Sequence, residues 1–181
     1  MRLIHYSENP LGELRNMDQM PPQHYFDKPK GLWVSAEGEG DWLEWCRDNS
    51  FGETRLQFEN VIELHPDARI LRLQQAVEML QFTADYGVMG EIGKQVPLLG
   101  RSLAIDWPRV ASEYQGILIA PYTWSLRMDT VTSWYYPWDC ASGCIWDVSA
   151  IQSVTSRKME TVENADSERE QGEVSEGLAS D

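Results

Sequence analysis

Three short segments of the chain carry residues that could do chemistry, and the first of them is His5-Tyr6-Ser7. It ends a short strand-like segment that begins at Arg2 and includes the apolar pair Leu3-Ile4. An imidazole in this position can form hydrogen bonds with the hydroxyl groups of a ligand. A histidine in the core or at the edge of a sheet would explain the same residue without any ligand. The other two segments are therefore needed to decide between the two interpretations.

The second segment is Gly31-Leu32-Trp33-Val34-Ser35, which is followed by Trp42 and Trp45. The chain holds 8 Trp in 181 residues, a high proportion. Trp side chains on a strand and on the helix after it can form a slot that stacks a flat ring. The alternative is that these rings belong to an ordinary aromatic core.

The third segment, residues 138 to 147, reads WDCASGCIWD. Small residues flanked by acids, just before a buried strand, indicate a close approach of the backbone to another group. Asp139 or Asp147 could accept hydrogen bonds there or stabilise a positive charge. A turn with solvated carboxylates is the alternative.

The cysteines do not predict a metal site. Cys46, Cys140 and Cys144 are odd in number and show no repeated spacing, which argues against a disulfide framework and against paired zinc ligands. We expect buried thiols and no metal.

The charge of the chain is strongly acidic, with a formal net charge of -14, and it is unevenly distributed. Eight acidic residues lie between Lys158 and Asp181, where few large apolar residues occur. Such a segment cannot bury enough apolar surface to offset its ordering entropy. We therefore expect a folded domain over residues 1–157 and an acidic, disordered tail over 158–181. An acidic surface repels phosphates, so a protein partner is favoured over a nucleic acid.

No apolar stretch is long enough for a membrane span, and the first residues lack the pattern of a signal peptide. We therefore expect a cytoplasmic protein without a membrane partner.

Short apolar runs bounded by Gly, Pro and Asn predict β-strands, and periodic stretches predict helices. The expected strands cover residues 2–7, 31–35, 61–64, 69–73, 116–120 and 143–148, the last with a possible extension over 151–154. Helices are expected after Asp41, over about 74–85 and after Asp106, with one helical turn near 11–14. Elements of both kinds without regular alternation indicate an α+β fold.

The helix expected near 74–85 has an apolar face in the sequence. Ala76, Val77, Leu80 and Ala84 follow helical spacing, so they share one side of the helix. We expect that side to pack against the core.

The order and character of these pieces resemble the ADP-ribosyltransferase superfamily, in particular its diphtheria-toxin-like and poly(ADP-ribose) polymerase-like branch. That family opens with a strand in which His is followed by Gly or Tyr and then by Ser or Thr, as in His5-Tyr6-Ser7. Its next motif is Gly-aliphatic-Tyr-aliphatic-small with a second aromatic further on; here it is similar to residues 31–35, with Trp45 twelve positions after Trp33. Its late strand reads aliphatic-aromatic-Asp-aliphatic, as in residues 145–148. The resemblance spans residues 2–155.

The resemblance implies two small, mostly antiparallel sheets with flanking helices and NAD bound in the cleft between them. It implies that His5 bonds a ribose, that the backbone of Tyr6 holds the nicotinamide amide, and that Trp33 and Trp45 stack the nicotinamide ring. The further residues expected at the NAD site are Ser7, Gly31, Ser35 and Trp42.

The chain departs from the family at two positions. Trp33 stands where the family usually has Tyr, and Ser142 stands where it has a catalytic Glu, five residues before the late-strand Asp. Asp139 is the nearest acid. Cleavage of the nicotinamide–ribose bond develops positive charge on the sugar, which a carboxylate near the 2′-hydroxyl stabilises. We therefore expect His5, Asp139 and Ser142 at the catalytic centre, with Asp139 as the acid.

The activity that the resemblance implies is transfer of ADP-ribose from NAD to a macromolecular or small acceptor, in the manner of toxin-like enzymes. Two alternatives stay open. One is an RNA 2′-phosphotransferase-like enzyme, although its candidate basic residues, Arg15, Lys28, Lys30, Arg101 and Arg109, are scattered. The other is a non-catalytic protein of phage or mobile-element type that blocks a host factor.

Overall fold

A computed structural model describes residues 1–38, 40–52, 56–90 and 103–159. The strands in these ranges are β1 (Leu3–Ser7), β2 (Leu32–Ala36), β3 (Phe58–Leu64), β4 (Ile70–Leu73), β5 (Gly87–Val88), β6 (Ala104–Ile105), β7 (Gly116–Ile119), β8 (Ser142–Ile145) and β9 (Ile151–Lys158). The helices are α1 (Trp42–Asp48), α2 (Ala76–Tyr86), α3 (Trp107–Glu113) and α4 (Trp124–Arg127). Two 3₁₀ turns cover Ser133–Tyr135 and Val148–Ala150.

Within the described ranges, one sheet holds seven strands in the order β4-β7-β8-β2-β1-β3-β9, and β5 pairs with β6 apart from it. Among these described strands, β4 and β7 pair in parallel, and the other neighbours in the sheet pair antiparallel. Mixed strands and helices agree with the α+β prediction. The expectation of two small sheets is wrong for these strands. The direct pairing of β2 with β8 joins β4, β7 and β8 to β2, β1, β3 and β9 in one larger sheet.

The last part of the chain departs from its predicted strands. The strand expected over 143–148 ends at Ile145, because Asp147 caps the 3₁₀ turn that follows by accepting a hydrogen bond from the Ser149 backbone nitrogen. The segment after this turn does not extend β8. It forms β9, which pairs antiparallel with β3 at the edge of the sheet.

The predicted domain boundary falls inside a strand. Lys158 pairs with Phe58, and the Met159 nitrogen donates to the carbonyl of Gln57 at 2.8 Å. Ordered structure therefore extends slightly past residue 157. The remainder of the predicted tail, residues 160–181, lies outside the described residues.

The helix starts were predicted correctly from their caps. Asp41 accepts a hydrogen bond from the Glu44 nitrogen, and Asp106 accepts one from the Arg109 nitrogen. No helical turn forms at residues 11–14, where the backbone is irregular.

The predicted apolar face of α2 was wrong. Val77 is 65% exposed and Leu80 41% exposed, whereas the buried residues of this helix are Met79, Phe82, Thr83 and Tyr86. The larger aromatic and Met side chains bury more surface than Val and Ala do, so they determine which side faces the core.

Two groups of buried side chains pack in the core. One is aromatic and includes Trp107, Trp134, Tyr135 and Trp138. The other is mostly aliphatic and is centred on β1, β2, β3 and β8. Four of the eight Trp residues, namely Trp107, Trp134, Trp138 and Trp146, are therefore buried in the core, whereas Trp33, Trp42 and Trp45 are only partly buried. Among the described helices, none is long and apolar enough to cross a membrane.

Candidate functional site

A cavity of about 260 Å³ lies where β1, β2, the start of α1 and the segment before β8 meet. Most of the predicted site residues line it, namely His5, Tyr6, Trp33, Ser35, Trp42, Asp139 and Ser142. The other lining residues are Ile4, Lys28, Val34 and Cys140. Pairing of β1 with β2 and of β2 with β8 explains the convergence, because it places three distant segments side by side.

His5 is fixed against the neighbouring strand. Its Nδ1 lies 2.7 Å from the carbonyl oxygen of Trp33. The amide of Asn60, which is fully buried, donates to the carbonyl oxygen of His5 at 2.9 Å. The side chain and the backbone of His5 are thus both held at the cavity wall.

Trp33 already has partners on its ring. The Lys28 ammonium lies 4.3 Å from the ring centroid, and the Trp138 ring meets it at 4.8 Å with an interplanar angle of 63°. One face of Trp33 is therefore in contact with a cation. A cationic nicotinamide ring cannot stack on that face unless Lys28 moves.

Trp42, and not Trp45, lines the cavity. The two rings stack with centroids 5.0 Å apart and planes 11° apart, because the spacing of three residues places them on one side of α1. Phe51 packs against both rings. Trp45 therefore supports the ring that the cavity presents.

Asp139 forms an ion pair with Arg127, whose Nη2 lies 2.7 Å from Oδ1 of the carboxylate. Both side chains are partly buried. The Nε of Arg127 is buried and has no hydrogen-bond partner among the described residues. The guanidinium carbon of Arg127 also lies 5.6 Å from the ring centroid of Trp124 and 5.7 Å from that of Tyr136. Asp139 is thus a fixed carboxylate whose charge is partly compensated.

Ser142 and Cys140 are not poised as nucleophiles. The Ser142 hydroxyl donates to the carbonyl oxygen of Cys140 at 3.0 Å, and no His, Asp or Glu side chain of the described residues is hydrogen-bonded to it. Burial raises the pKa of the Cys140 thiol to about 12, so it stays protonated at neutral pH. Neither group is activated for attack in this arrangement.

Tyr6 and Ser35 contribute polar groups to the wall. Burial, followed by the nearby carboxylates of Asp41 and Glu59, raises the pKa of Tyr6 to about 12. Its phenol therefore stays neutral and can donate a hydrogen bond. The hydroxyl of Ser35 accepts a bond from the Trp42 nitrogen at 2.9 Å, which ties β2 to the start of α1.

Three predicted site residues do not line this cavity. Ser7 donates to the carbonyl of Asn9 and faces a second cavity of about 310 Å³, which shares Tyr6 and Trp42 with the first. Trp45 lies behind Trp42. Gly31 packs on β8, where an added Cβ would lie 2.4 Å from the carbonyl oxygen of Ile145, so only glycine fits.

Two charged residues at the site were missed by sequence reasoning. In the sequence, Lys28 is one of several scattered basic residues, and no motif includes Arg127. Both lie in segments without strand or helix patterns that single them out. The signal that could have drawn attention to Lys28 is its position just before the Gly31–Ser35 motif.

Among the described residues, no three His, Cys, Asp or Glu side chains gather in a way that could hold a metal ion. A scan against protein-family models found no match, and searches of curated proteins and of solved structures found none either.

Proposed function

We propose that the protein binds NAD in the cavity beside His5 and acts as an ADP-ribosyltransferase-like enzyme, with a macromolecular or small acceptor. A protein acceptor fits the acidic charge better than a nucleic acid does. We also propose a cytoplasmic location, where NAD would be available as the substrate.

The convergence of three segments on one cavity carries this proposal. His5 and Trp33 belong to two motifs on which the resemblance to the transferases rests, and Asp139, far along the chain, is the acid nearest to the position of the family's Glu. The same residues line one cavity together with Trp42. Convergence of this kind is expected of a binding site, whereas independent core residues need not share a cavity.

The reaction would break the bond between nicotinamide and C1′ of the ribose. Nicotinamide leaves with the bonding electron pair, and positive charge develops on the sugar. The acceptor then forms its bond to C1′ and releases a proton to water. Asp139 is the carboxylate available to oppose the developing charge, and its Oδ2 has no hydrogen-bond partner among the described residues.

The stacking position of nicotinamide differs from the one implied by the resemblance. Lys28 covers one face of Trp33, and Trp45 lies behind Trp42. The proposal therefore places the nicotinamide ring against Trp42, with the ribose toward His5 and Asp139.

The proposal is tested by binding and by turnover, measured separately. NAD at one hundred times its Kd should stabilise the protein by about 2.7 kcal/mol, which a thermal melt detects. Mass spectrometry should then find free nicotinamide and a mass increase on an acceptor in cell lysate. Absence of any melt shift at millimolar NAD would refute the NAD site.

An exposed surface favours a second candidate, the non-catalytic binding protein that blocks a host factor. Trp124 is 65% exposed, Met128 77% and Tyr136 50%, and all three lie in the connection between β7 and β8. Exposed aromatic and Met side chains are typical of protein interfaces. Under this alternative, a partner is captured whether or not NAD is present, and nicotinamide is not released.

A further inference from the structure

Lys28 presents an ammonium group to the cavity from a backbone that the core holds on both sides. The indole nitrogen of Trp107 donates to the carbonyl of Asp27 at 2.9 Å. The thiol of Cys144 donates to the carbonyl of Pro29 at 3.7 Å. Trp107 and Cys144 are both buried, so the residues before and after Lys28 are anchored. The position of Lys28 is therefore fixed although it lies in a loop.

The ammonium of Lys28 has aromatic contacts but no oxygen partner in the described part of the chain. Its Nζ lies 4.3 Å from the Trp33 ring centroid and 5.8 Å from that of Trp138. Asp139, the acid that shares the cavity, pairs with Arg127 instead. Lys28 is exposed as a residue, and desolvation of its ammonium among the neighbouring groups lowers its pKa. An ammonium has three strong donors, and these are open to a ligand.

We propose that Lys28 binds a phosphate of the ligand, and that the cavity thereby selects the 5′-phosphorylated nicotinamide riboside half of NAD over the unphosphorylated nucleoside. The inference rests on the proposed function. The cavity, at about 260 Å³, suits half of a dinucleotide better than the whole.

The opposite charges of Lys28 and Asp139 determine where each group of such a ligand binds in the cavity. Lysine binds phosphate as a point charge, and a phosphate is repelled by the Asp139 carboxylate. Ribose hydroxyls are donors and suit Asp139, whereas the cationic nicotinamide ring is repelled by Lys28. The phosphate thus goes to Lys28, the ribose to Asp139, and the ring to the far side against Trp42.

The test measures the affinity of nicotinamide mononucleotide, nicotinamide riboside and ribose 5-phosphate by calorimetry at constant ionic strength. The wild type should bind the mononucleotide about tenfold more tightly than the riboside, the effect of one charge-assisted contact. Lys28→Gln should remove that difference without weakening the riboside, and Lys28→Arg should restore part of it. Lys30→Gln is the matched control, because Lys30 is also exposed but does not line the cavity.

Every other result would contradict the phosphate contact, the NAD proposal or both. Equal affinities for mononucleotide and riboside in the wild type, or equal weakening of both by Lys28→Gln, would refute the phosphate contact and leave the NAD proposal standing. Binding of ribose 5-phosphate that needs Lys28, without binding of either nicotinamide compound, would keep the phosphate contact and overturn the NAD proposal. No binding of any probe to the wild type overturns both. Melting curves of the variants confirm that each is folded.

Discussion

The imidazole of His5 donates a hydrogen bond from Nδ1 to the backbone carbonyl of Trp33, across 2.7 Å. A carbonyl oxygen only accepts, so Nδ1 carries the proton of this bond, and Nε2 is the ring nitrogen without a hydrogen-bond partner among the described residues. The bond lies just beyond Ile4 and Ser35, the last residues in register between β1 and β2. One nitrogen of His5 thus serves the fold, and the other is left for a ligand.

Two substitutions of His5 should separate these roles. Asn places an amide nitrogen near the position of Nδ1 but has no counterpart of Nε2, so His5→Asn should keep the melting temperature and weaken NAD binding about tenfold. His5→Ala removes both nitrogens and should also cost about 1 kcal/mol of stability. Urea denaturation and calorimetry give the two quantities. Wild-type affinity in a stable His5→Asn protein would show that Nε2 does not contact the ligand.

Asp139→Asn should retain NAD binding, because an amide still donates and accepts hydrogen bonds. Release of nicotinamide should fall by roughly a hundredfold or more, since the variant lacks the charge that opposes the developing cation. Nicotinamide is quantified over time at saturating NAD.

Ser142→Ala is the comparison for Asp139→Asn. The Ser142 hydroxyl is occupied by the Cys140 carbonyl, so its loss should leave turnover near the wild-type rate. The opposite pattern, a fast Asp139→Asn and a slow Ser142→Ala, would move the catalytic role to the hydroxyl.

Glu59 should contribute to stability through two arginines on either side of it. The side chain of Glu59 is 7% exposed and its carboxylate bonds Arg2 and Arg157, which lie near the start and the end of the described residues. Glu59→Gln removes the negative charge from both ion pairs, and the free energy of unfolding should fall by about 1–3 kcal/mol. The loss is not larger because solvent screens the charges of the exposed arginines. Glu63→Gln, at an exposed site on the same strand, is the control. Urea midpoints that do not differ between the two variants would contradict the prediction.

Gly143 should tolerate no side chain. A Cβ at this position would lie 2.3 Å from the carbonyl oxygen of Ile117 on β7, so Gly143→Ala must separate β7 from β8. We expect a protein that melts well below the wild type or does not fold. Gly12→Ala, with open space around it, should melt like the wild type. The melting temperatures of both variants are measured by circular dichroism, and equal values would contradict the prediction.

The buried thiols should resist alkylation in the folded protein. Burial raises the pKa of Cys140 to about 12 and also raises that of Cys144. At pH 8 the reactive thiolate is therefore scarce. Intact-mass spectrometry after iodoacetamide treatment should show little modification until urea unfolds the chain. Rapid modification of Cys140 in the native protein would show that the cavity opens to the reagent.

Local signals in the sequence predicted the elements better than their arrangement. Asp41 and Asp106 predict helix starts because an N-cap side chain accepts hydrogen bonds from backbone nitrogens in the first turn of the helix. Apolar runs locate the strands of the sheet because they too are local signals, carried by a few consecutive residues. The joining of strands into one large sheet depends on pairings such as that of β2 with β8, between residues far apart in the chain, which no local pattern specifies.

The same division applies to the candidate site. His5, Trp33 and Asp139 could be selected by residue type and motif, although their roles toward NAD stay predictions. The contact of Lys28 with Trp33 depends on a loop whose backbone is held by Trp107 and Cys144, so only the assembled fold reveals it. The wrong face assigned to α2 has a related cause, because spacing alone does not tell which apolar side meets the core.

The pairing of Val34 with Gly143 also has a consequence for the newly made chain. The partners are separated by roughly 110 residues in the chain. The side of the cavity that β8 provides therefore forms only when two segments far apart in sequence have paired. During synthesis, His5 and Trp33 emerge from the ribosome long before Asp139 does. A nascent or prematurely terminated chain that lacks β8 has no complete cavity. Any ligand-dependent property of the site therefore arises only once almost the whole folded part has been translated.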